Sequence, residues 1–228
     1  MRSRPEFEAG ILDDLDWLGY RPDVFPTNAF RTGRCEGRQS DRDEAYREAL
    51  EILRGQGLVY ACDCSRRSAA PPPSARDPVE LHYPGTCRDR HLPLAEGHGW
   101  RVRIDPGIET FDDLRLGPQR QDPSEQCGDV LLRDRHGNWT YQFAATVDDW
   151  RQEIDTVIRG IDLLPSTGRQ IRIARLLGRK HPARFFHHPL IMKTPDQKLS
   201  KSDGDSGVRD LRARGWTPAQ VIKAATRA

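Results

Sequence analysis

The stretch that decides the fold covers residues 141–170 and reads YQFAATVDDWRQEIDTVIRGIDLLPSTGRQ. It includes most of one apolar segment, 140–147, and all of another, 154–158, and their composition predicts two strands. The pair Arg159-Gly160 closes the second segment, and residues 170–177 follow with the spacing of a helix. Because strands and helices alternate along the chain, the sequence predicts an α/β sheet.

The same patterns extend outward to both ends of the chain. The predicted helices cover 6–18, 41–56 and parts of 210–228, and the predicted strands cover 58–60, 100–104 and 129–133. Residues 66–86 are polar and include a run of prolines, so we predict a surface loop or a small inserted subdomain there. Residues 105–127 are also polar and are predicted to be rich in loops.

Composition excludes several classes of protein. The 228 residues carry 36 Lys+Arg against 34 Asp+Glu, so the formal net charge is only +2, without the basic field of an unaided nucleic-acid binder. No apolar run in the sequence approaches the roughly 20 residues of a membrane span, and the N-terminus has no signal-peptide pattern. The cysteines number five, which argues against a disulfide scaffold, so we expect a reducing, cytoplasmic setting without a membrane.

Three of the cysteines form a sharp cluster, Cys62-x-Cys64 followed by Cys87. Zinc favours four ligands in a tetrahedron, mostly Cys and His, so a fourth ligand is needed. Position offers His82 or Tyr83, and imidazole is the commoner ligand of the two. The alternative interpretation is three ordinary reduced cysteines, although this polar segment offers little core in which to bury them.

A second motif is the lysine loop, which we define as Lys198-Leu199-Ser200-Lys201-Ser202. Its two lysines lie three positions apart and are interleaved with hydroxyl groups. Such a loop can clamp a polyphosphate and stabilise the charge on a departing phosphate. The alternative interpretation is a solvated basic loop. The sequence contains no P-loop motif, which disfavours a P-loop nucleotidase.

A third candidate is the pair Tyr141 and Arg159. Arg159 directly follows a predicted apolar strand, and open α/β sheets bind ligands at the carboxyl ends of their strands. The guanidinium can hold a substrate carboxylate through two hydrogen bonds, with Tyr141 bonding to the same substrate. The alternative interpretation is a half-buried core tyrosine and an arginine in a surface ion pair.

Together these motifs resemble one family, the class I glutamyl/glutaminyl-tRNA synthetases. The likeness is strongest over residues 141–170 and 187–202, where His187-x-Pro189-Leu190 precedes the lysine loop. That loop resembles the KMSKS signature of class I synthetases. The cysteine cluster resembles the zinc site of a short branch of the family, the glutamyl-Q tRNA(Asp) synthetases.

The resemblance implies a role for each candidate residue. Tyr141 and Arg159 would bind glutamate. Lys198 and Lys201 would bind ATP, which enters with Mg²⁺, and Lys201 would be the catalytic residue. The implied ligands of one structural zinc ion are Cys62, Cys64, Tyr83 and Cys87. This set favours Tyr83 over His82 as the fourth ligand.

The implied activity is that of a ligase of the aminoacyl-tRNA synthetase type. The short branch activates glutamate with ATP and transfers it to queuosine in the anticodon of tRNA(Asp). L-glutamate, ATP and tRNA(Asp) are therefore the implied partners, and we expect a monomer. Two alternatives stay open: a truncated glutamyl-tRNA synthetase that charges a tRNA 3′ end, and a non-catalytic RNA- or zinc-binding module derived from a synthetase.

The implied fold is a Rossmann-like class I catalytic core with an inserted zinc-binding subdomain. We expect 1–60 to be the remainder of the N-terminal nucleotide-binding half, 61–128 the inserted subdomain, and 129–228 the C-terminal half with the lysine loop. No anticodon-binding domain is expected. The family begins with a strand and a HIGH-type helix that holds ATP, and neither motif occurs in this sequence. We therefore expect a reading frame that starts upstream of Met1, and no glutamate activation by the 228 residues alone.

Overall fold

The computed structural model describes residues 4–65, 82–194, 197–199 and 207–226, except for the side chain of Lys198. The chain forms two compact units. The terminal unit consists of Met1–Arg42 and Pro189–Ala228, and the central unit consists of Asp43–His188. Within the described ranges, no helix combines the length and the apolar character that a membrane span requires.

The terminal unit is mainly helical. Its elements are α1 (Pro5–Leu18), α2 (Thr27–Arg31), a 3₁₀ helix (Gln39–Asp41), the hairpin of β8 (Met192–Thr194) and β9 (Gln197–Lys198), α7 (Val208–Ala213) and α8 (Pro218–Ala225). Helix α1 begins with proline at its first turn and ends at Gly19, whose φ of 83° is the left-handed conformation that favours glycine. Thr217 and Gln220 form a capping box that starts α8.

One sheet of the central unit has three antiparallel strands, β1 (Val59–Cys62), β2 (Gly99–Val102) and β5 (Val130–Arg133), in that order. Helix α3 (Asp43–Gly55) precedes this sheet, and helix α5 (Tyr141–Arg151) follows it. Both helices place apolar side chains at helical spacing into the main core, together with residues of the sheet. The largest of its fully buried side chains are Tyr46, Leu50, Leu53, Val102, Ile104, Leu132, Phe143, Val147 and Ile173.

The second sheet has four strands, in the order β4 (Gly117–Gln121), β3 (Glu109–Asp113), β7 (Arg184–His188) and β6 (Thr156–Gly160). Strands β3, β7 and β6 run parallel, whereas β4 is antiparallel to β3. Helix α4 (Pro123–Gln126) follows β4, and a 3₁₀ helix (Ile161–Ser166) leads from β6 into α6 (Thr167–Leu176). A small apolar core forms where α6 meets the sheet, from Phe111, Ile171, Ala183 and Phe185. The carboxyl ends of three parallel strands therefore meet at one edge of this sheet.

The structure shows that two predictions were wrong. Residues 140–147, predicted as a strand, supply the start of α5. The buried residues of this segment, from Phe143 to Val147, follow helical rather than alternating spacing. Residues 105–127, predicted as loop-rich, contain β3, β4 and α4. Strand β3 does alternate between buried and exposed positions, but two of its three buried side chains are Glu109 and Asp113, so no apolar period marks it.

The other predicted elements are confirmed within a few residues. Helices lie at 5–18, 43–55 and 167–176, and two short helices occupy the C-terminal tail. Strands lie close to the predicted 58–60, 100–104, 129–133 and 154–158. Both predicted domain boundaries, after residue 60 and after residue 128, lie inside the central unit, where the three-stranded sheet crosses them. The predicted division into the remainder of an N-terminal half, an inserted subdomain and a C-terminal half stays a prediction.

Candidate functional site

Three charged or titratable side chains meet at the carboxyl ends of the three parallel strands. Asp113 is the last residue of β3, Arg159 lies one residue before the end of β6, and His187 lies one residue before the end of β7. Arg159 and His187 are direct partners in the strand register. This edge is where open α/β sheets bind their ligands, so we call the cluster around Arg159 the arginine site.

The Arg159 guanidinium is buried, with 9% of the residue's surface exposed. Its Nε donates to His187 Nε2 at 3.0 Å, one terminal nitrogen donates to Gln170 Oε1 at 2.5 Å, and the other donates to Thr167 Oγ1 at 2.7 Å. Gln170 and Thr167 come from the first turn of α6. These partners fix the plane of the guanidinium, but none of them carries a negative charge that would neutralise it.

Arg159 therefore forms no ion pair with any carboxylate in the part of the chain that the structure describes. Burial is the largest influence on this side chain and lowers the pKa of Arg159 below its ordinary value, while its interaction with Tyr141 and the charge of Asp149 oppose that effect. An unpaired buried cation is costly unless a partner is supplied. The arrangement suits an anionic ligand.

His187 and Asp113 form a second layer under the arginine site. His187 Nδ1 lies 2.6 Å from Asp113 Oδ2, and both side chains are fully buried. Burial, as the main cause, and the charge of Arg159 lower the pKa of His187, while the bond to Asp113 opposes them. The imidazole is therefore neutral at neutral pH.

Helix α5 brings two further polar side chains to the arginine site. Gln142 accepts from Gln170 Nε2 at 2.9 Å and donates to Ser166 Oγ at 2.9 Å. Tyr141 is the first residue of the helix and is 51% exposed, so its ring is accessible from solvent while it interacts with Arg159. The structure thus brings the predicted pair Tyr141 and Arg159 together.

Asp149 is a titratable group near this network that has no charged hydrogen-bond partner in the described chain. Burial raises the pKa of Asp149 to about 6, although the charges of Arg159 and Arg179 oppose the shift. Asp149 therefore ionises only as the pH rises through about 6, and in the described chain it makes no hydrogen bond to Arg159.

The predicted cysteine cluster forms in space. The Sγ atoms of Cys62, Cys64 and Cys87 all lie within 4.8 Å of one another. The Tyr83 hydroxyl lies among them, 3.4 Å from Cys62 Sγ and 3.9 Å from Cys64 Sγ. Three thiols and one phenol at these distances present four donor atoms to one point, a number that suits a tetrahedral zinc ion. The residues therefore fit the metal that the resemblance implies.

His82, the alternative fourth ligand, has another role. Its Nε2 lies 3.0 Å from the Ser124 carbonyl oxygen, in a hydrogen bond away from the thiols. Tyr83 is instead buried at 2% exposure, and the guanidinium of Arg101 stacks on its ring at 3.7 Å. Arg101 also donates to Cys62 Sγ at 3.4 Å. The local fold therefore presents Tyr83, and not His82, to the cluster.

The thiols of the cluster differ in acidity. Burial opposes the ionisation of Cys62, but its hydrogen bonds with Tyr83 and Arg101 outweigh this effect and lower the pKa of Cys62. Burial, the hydrogen bond with Cys87 and the charge of Cys62 raise the pKa of Cys64 to about 11. Adjacent thiolates repel one another, so a bound cation is what allows several of them to ionise together.

A cavity of about 630 Å³ opens in the central unit beside the cysteine cluster. Its lining includes Cys64, Arg101, Asp129, Arg135, Gln142 and Arg169. The volume is within the range of small-molecule sites, and many of the lining side chains are polar. The presence of Gln142 in this wall connects the cavity to the arginine site.

Two predicted features lie largely outside the described residues: the surface loop or subdomain at 66–86, of which 66–81 are not described, and the lysine loop. Lys198 ends strand β9, where its backbone pairs with Met192. Residues 200–202, including Lys201, lie outside the described residues, as does the side chain of Lys198. The predicted roles of both lysines stay predictions.

Asp113 was not predicted as a site residue, and His187 was given no role of its own. Asp113 lies in a stretch that was predicted as loop, and its partner His187 is 74 positions away. A polar residue that pairs so far along the chain leaves no local pattern. His187 stands in the quoted motif, but nothing in that motif indicates that its imidazole touches Arg159.

Comparison with known proteins agrees with this architecture. The family model of the catalytic domain of class I tRNA synthetases (E and Q) matches residues 1–228. The glutamyl-Q tRNA(Asp) synthetase of Bordetella bronchiseptica is 45% identical over 170 residues, which are 73% of this chain and 53% of that protein. The protein of the same name from Nitratidesulfovibrio vulgaris is 36% identical over an alignment of 230 positions, which covers 96% of this chain and 70% of that protein.

A solved structure shows the same fold. The glutamate-tRNA synthetase of Elizabethkingia anophelis matches 94% of this chain with a TM-score of 0.69 and 25% sequence identity, over 45% of its own length. The chain spans 53% of the Bordetella relative and less than half of this structure. The resemblance and the α/β fold class expected from residues 141–170 and 187–202 are thereby confirmed. The chain belongs to the class I tRNA synthetases for glutamate and glutamine, and it matches the catalytic domain of that family.

Proposed function

We propose that the protein to which this catalytic domain belongs activates glutamate with ATP and transfers it to queuosine in the anticodon of tRNA(Asp). The observation that carries the first step is the buried Arg159 guanidinium, whose hydrogen-bond partners are all neutral. The names of the relatives from Bordetella bronchiseptica and Nitratidesulfovibrio vulgaris support the second step, because both are glutamyl-Q tRNA(Asp) synthetases.

Arg159 has the donors that a carboxylate needs. A guanidinium has five N–H groups, and three of them point to His187, Gln170 and Thr167. Each terminal nitrogen has one further N–H besides these bonds. We infer that the substrate carboxylate accepts from these two N–H groups. Tyr141 is half exposed and interacts with Arg159, so it adds a hydroxyl at the solvent side of the arginine site.

ATP would bind at the lysine loop. We propose that Lys198 and Lys201 bind its phosphates, with Lys201 stabilising the charge that develops as pyrophosphate leaves. Mg²⁺ would accompany the nucleotide as it does in other ATP-dependent enzymes. These roles are carried over from the KMSKS-like sequence of the loop.

We also propose that Cys62, Cys64, Tyr83 and Cys87 hold one structural zinc ion. The thiols and the phenol already converge without a metal, and the hydrogen bond of His82 to Ser124 directs its imidazole elsewhere. The zinc ion would tie β1 to the segment around Cys87. It would brace this part of the central unit and take no part in the chemistry.

Glutamate binding is tested by calorimetry on the purified 228-residue chain. L-glutamate is titrated first, followed by L-glutamine, L-aspartate and a mixture of other amino acids. We expect L-glutamate to bind most tightly. Equal affinity for L-glutamine, or no binding of L-glutamate, would contradict the proposed substrate.

The acceptor is tested with labelled glutamate, ATP and tRNA(Asp) with and without queuosine. The assay is run on this chain and on a form that includes any in-frame genomic sequence upstream of Met1. After nuclease digestion, we expect label in the anticodon fragment of the queuosine-containing tRNA only. Label on the 3′ adenosine would instead assign the chain to the second candidate, a glutamyl-tRNA synthetase, which the likeness to the Elizabethkingia anophelis enzyme favours.

A further inference from the structure

We propose that Asp113 and His187 are positioning residues, which hold the Arg159 guanidinium in the orientation that receives the substrate carboxylate. This assignment rests on the proposed function, in which Arg159 binds glutamate. The three residues belong to three neighbouring parallel strands, β3, β7 and β6, and they form a continuous line of hydrogen bonds across the sheet edge.

The line begins at the Asp113 carboxylate, which the backbone holds in place. Its Oδ1 accepts from the amides of Leu116 at 2.8 Å and Arg115 at 3.0 Å. Its Oδ2 accepts from the His187 amide at 3.1 Å and faces His187 Nδ1 at 2.6 Å. Burial opposes ionisation of this carboxyl, but these hydrogen bonds outweigh it and lower the pKa of Asp113. Four donors are therefore directed at one ionised group.

An acceptor at Oδ2 fixes the tautomer of His187. Since a carboxylate can only accept, the proton of the neutral imidazole must lie on Nδ1. Nε2 is then unprotonated and accepts from Arg159 Nε at 3.0 Å. The other tautomer would place an N–H on Nε2 against the N–H of Arg159, donor against donor.

The hydrogen-bond roles of Thr167 follow from the same tautomer of His187. Its Oγ1 accepts from a terminal nitrogen of Arg159 and lies 3.2 Å from His187 Nε2. Its hydroxyl proton can then be donated to Nε2, so that each contact in the group pairs a donor with an acceptor. A protonated imidazole would lose the acceptor for Arg159 Nε–H and would place two donors against each other.

The arrangement orients the Arg159 guanidinium and also leaves its charge without a direct ion pair to Asp113. Asp113 is the carboxylate of this layer, but His187 separates it from Arg159, so it orients the guanidinium without pairing with it directly. The positive charge of Arg159 is thereby positioned and yet left for the ligand. A carboxylate in direct contact would position Arg159 equally well but would compete with glutamate for its N–H groups.

The first test is spectroscopic and needs no ligand. Two-bond ¹H–¹⁵N correlation spectra of the ¹⁵N-labelled 228-residue chain at neutral pH report the tautomer of each histidine, and His187→Gln assigns the signals by their loss. We expect His187 to have its proton on Nδ1. A proton on Nε2, or a doubly protonated ring, would overturn the proposal without any variant of Asp113.

The second test compares Asp113→Asn with Asp112→Asn. Asp112 is the exposed neighbour on β3, so its variant removes the same charge without touching the network. An amide at position 113 has only one oxygen, so it cannot accept at both positions that the carboxylate uses. We therefore expect the proton of His187 to move to Nε2. Losing one hydrogen bond to a charged group weakens L-glutamate binding by about 10- to 100-fold, and Asp112→Asn should leave it unchanged.

Two variants at position 187 provide an independent test in case Asp113→Asn does not fold. Gln at position 187 retains an acceptor for Arg159, whereas Leu does not. We expect His187→Gln to bind L-glutamate clearly more tightly than His187→Leu. Equal affinities in these two variants, with both folded by circular dichroism, would overturn the positioning role. A wild-type chain with the Nδ1–H tautomer and no glutamate binding would contradict the proposed function instead.

Discussion

The cysteine cluster and the arginine site lie in the same unit but differ in how they are built. The cysteine cluster takes its four donors from a short span of chain, between positions 62 and 87, and brings together thiols that repel one another once ionised. The arginine site takes its residues from three strands and two helices, between positions 113 and 187. It is held by hydrogen bonds of the protein alone.

The difference identifies what each region lacks. The cysteine cluster has an excess of potential negative charge, so its proper partner is a cation. The arginine site has a buried positive charge among neutral acceptors, so its proper partner is an anion. In our proposal the first partner is a metal ion that completes the structure, and the second is the substrate. Removing the partner should therefore have different consequences in the two regions.

The largest effect is expected from breaking the cysteine cluster. We expect the wild-type chain to bind one zinc ion and Cys87→Ser to bind none. The variant should also lower the free energy of unfolding by several kcal/mol, because structural zinc contributes directly to folding. Metal analysis by mass spectrometry and urea denaturation measure the two effects. The control is Cys127→Ser, because Cys127 is another buried cysteine and its Sγ donates to the carbonyl oxygens of Pro123 and Gly128. Loss of zinc from both variants would contradict the assignment.

The next effect concerns the arginine site. Arg159→Lys keeps the charge but loses the planar fork that binds a carboxylate through two hydrogen bonds. We expect the Kd for L-glutamate to rise roughly 100-fold, measured by calorimetry. Arg184→Lys makes the same change at an exposed position of the neighbouring strand β7 and should leave the Kd as it is. Similar losses in both variants would show that Arg159 has no special role.

A pH-dependent effect on stability is expected from Asp149, whose carboxyl interacts electrostatically with Arg159. Burial raises the pKa of Asp149 to about 6, above the ordinary value of 3.8. The native state therefore binds this proton more tightly than the unfolded state, so the contribution of Asp149 to stability is fully present below about pH 4 and is lost as pH rises through 6. Asp149→Asn should remove this fall and should be more stable than wild type at pH 7 by up to about 3 kcal/mol. Thermal unfolding at a series of pH values measures it.

Two results would contradict that interpretation of Asp149. Wild type and Asp149→Asn would then show the same dependence of stability on pH, or the variant would be the less stable protein at neutral pH. The second result would mean that the ionised carboxylate stabilises the fold by pairing with Arg159 or Arg179, whose charges oppose the shift.

The smallest effect is expected at the rim of the arginine site. Tyr141→Phe removes one hydroxyl from a residue that is half exposed, so the free energy of unfolding should not change. One neutral hydrogen bond to the ligand corresponds to about a 3- to 10-fold increase in the Kd for L-glutamate. Tyr20→Phe is the control, because Tyr20 is a tyrosine of nearly equal exposure in the terminal unit. An unchanged Kd in Tyr141→Phe would remove Tyr141 from the site.

The two regions also differ in how far the sequence could predict them. The cysteine cluster is local, so the spacing of Cys62, Cys64 and Cys87 along the chain is enough to indicate it. The choice between His82 and Tyr83 needed the resemblance, because it depends on which side chain the fold turns inward. The structure shows His82 bonded to Ser124, a residue 42 positions away.

The arginine site could be predicted only in part. Arg159 was placed correctly, because an apolar segment followed by Arg-Gly marks the end of a strand. Asp113 could not be predicted as a site residue. Strand β3 buries charged residues, so its sequence lacks the alternation of apolar and polar residues that indicates a strand. Helix α5 was predicted as a strand because Tyr, Phe, Thr and Val are common in strands. Its true signal was the spacing of Phe143, Ala144 and Val147, which is helical.

The most direct test of the central claim observes Arg159 itself. The side-chain N–H resonances of Arg159 are followed in the ¹⁵N-labelled chain while L-glutamate is added, with Arg159→Lys used for assignment. A buried, preorganised guanidinium that receives the substrate carboxylate predicts a saturable shift of these resonances at the Kd found by calorimetry. Saturable glutamate binding that leaves the Arg159 resonances unmoved would contradict it.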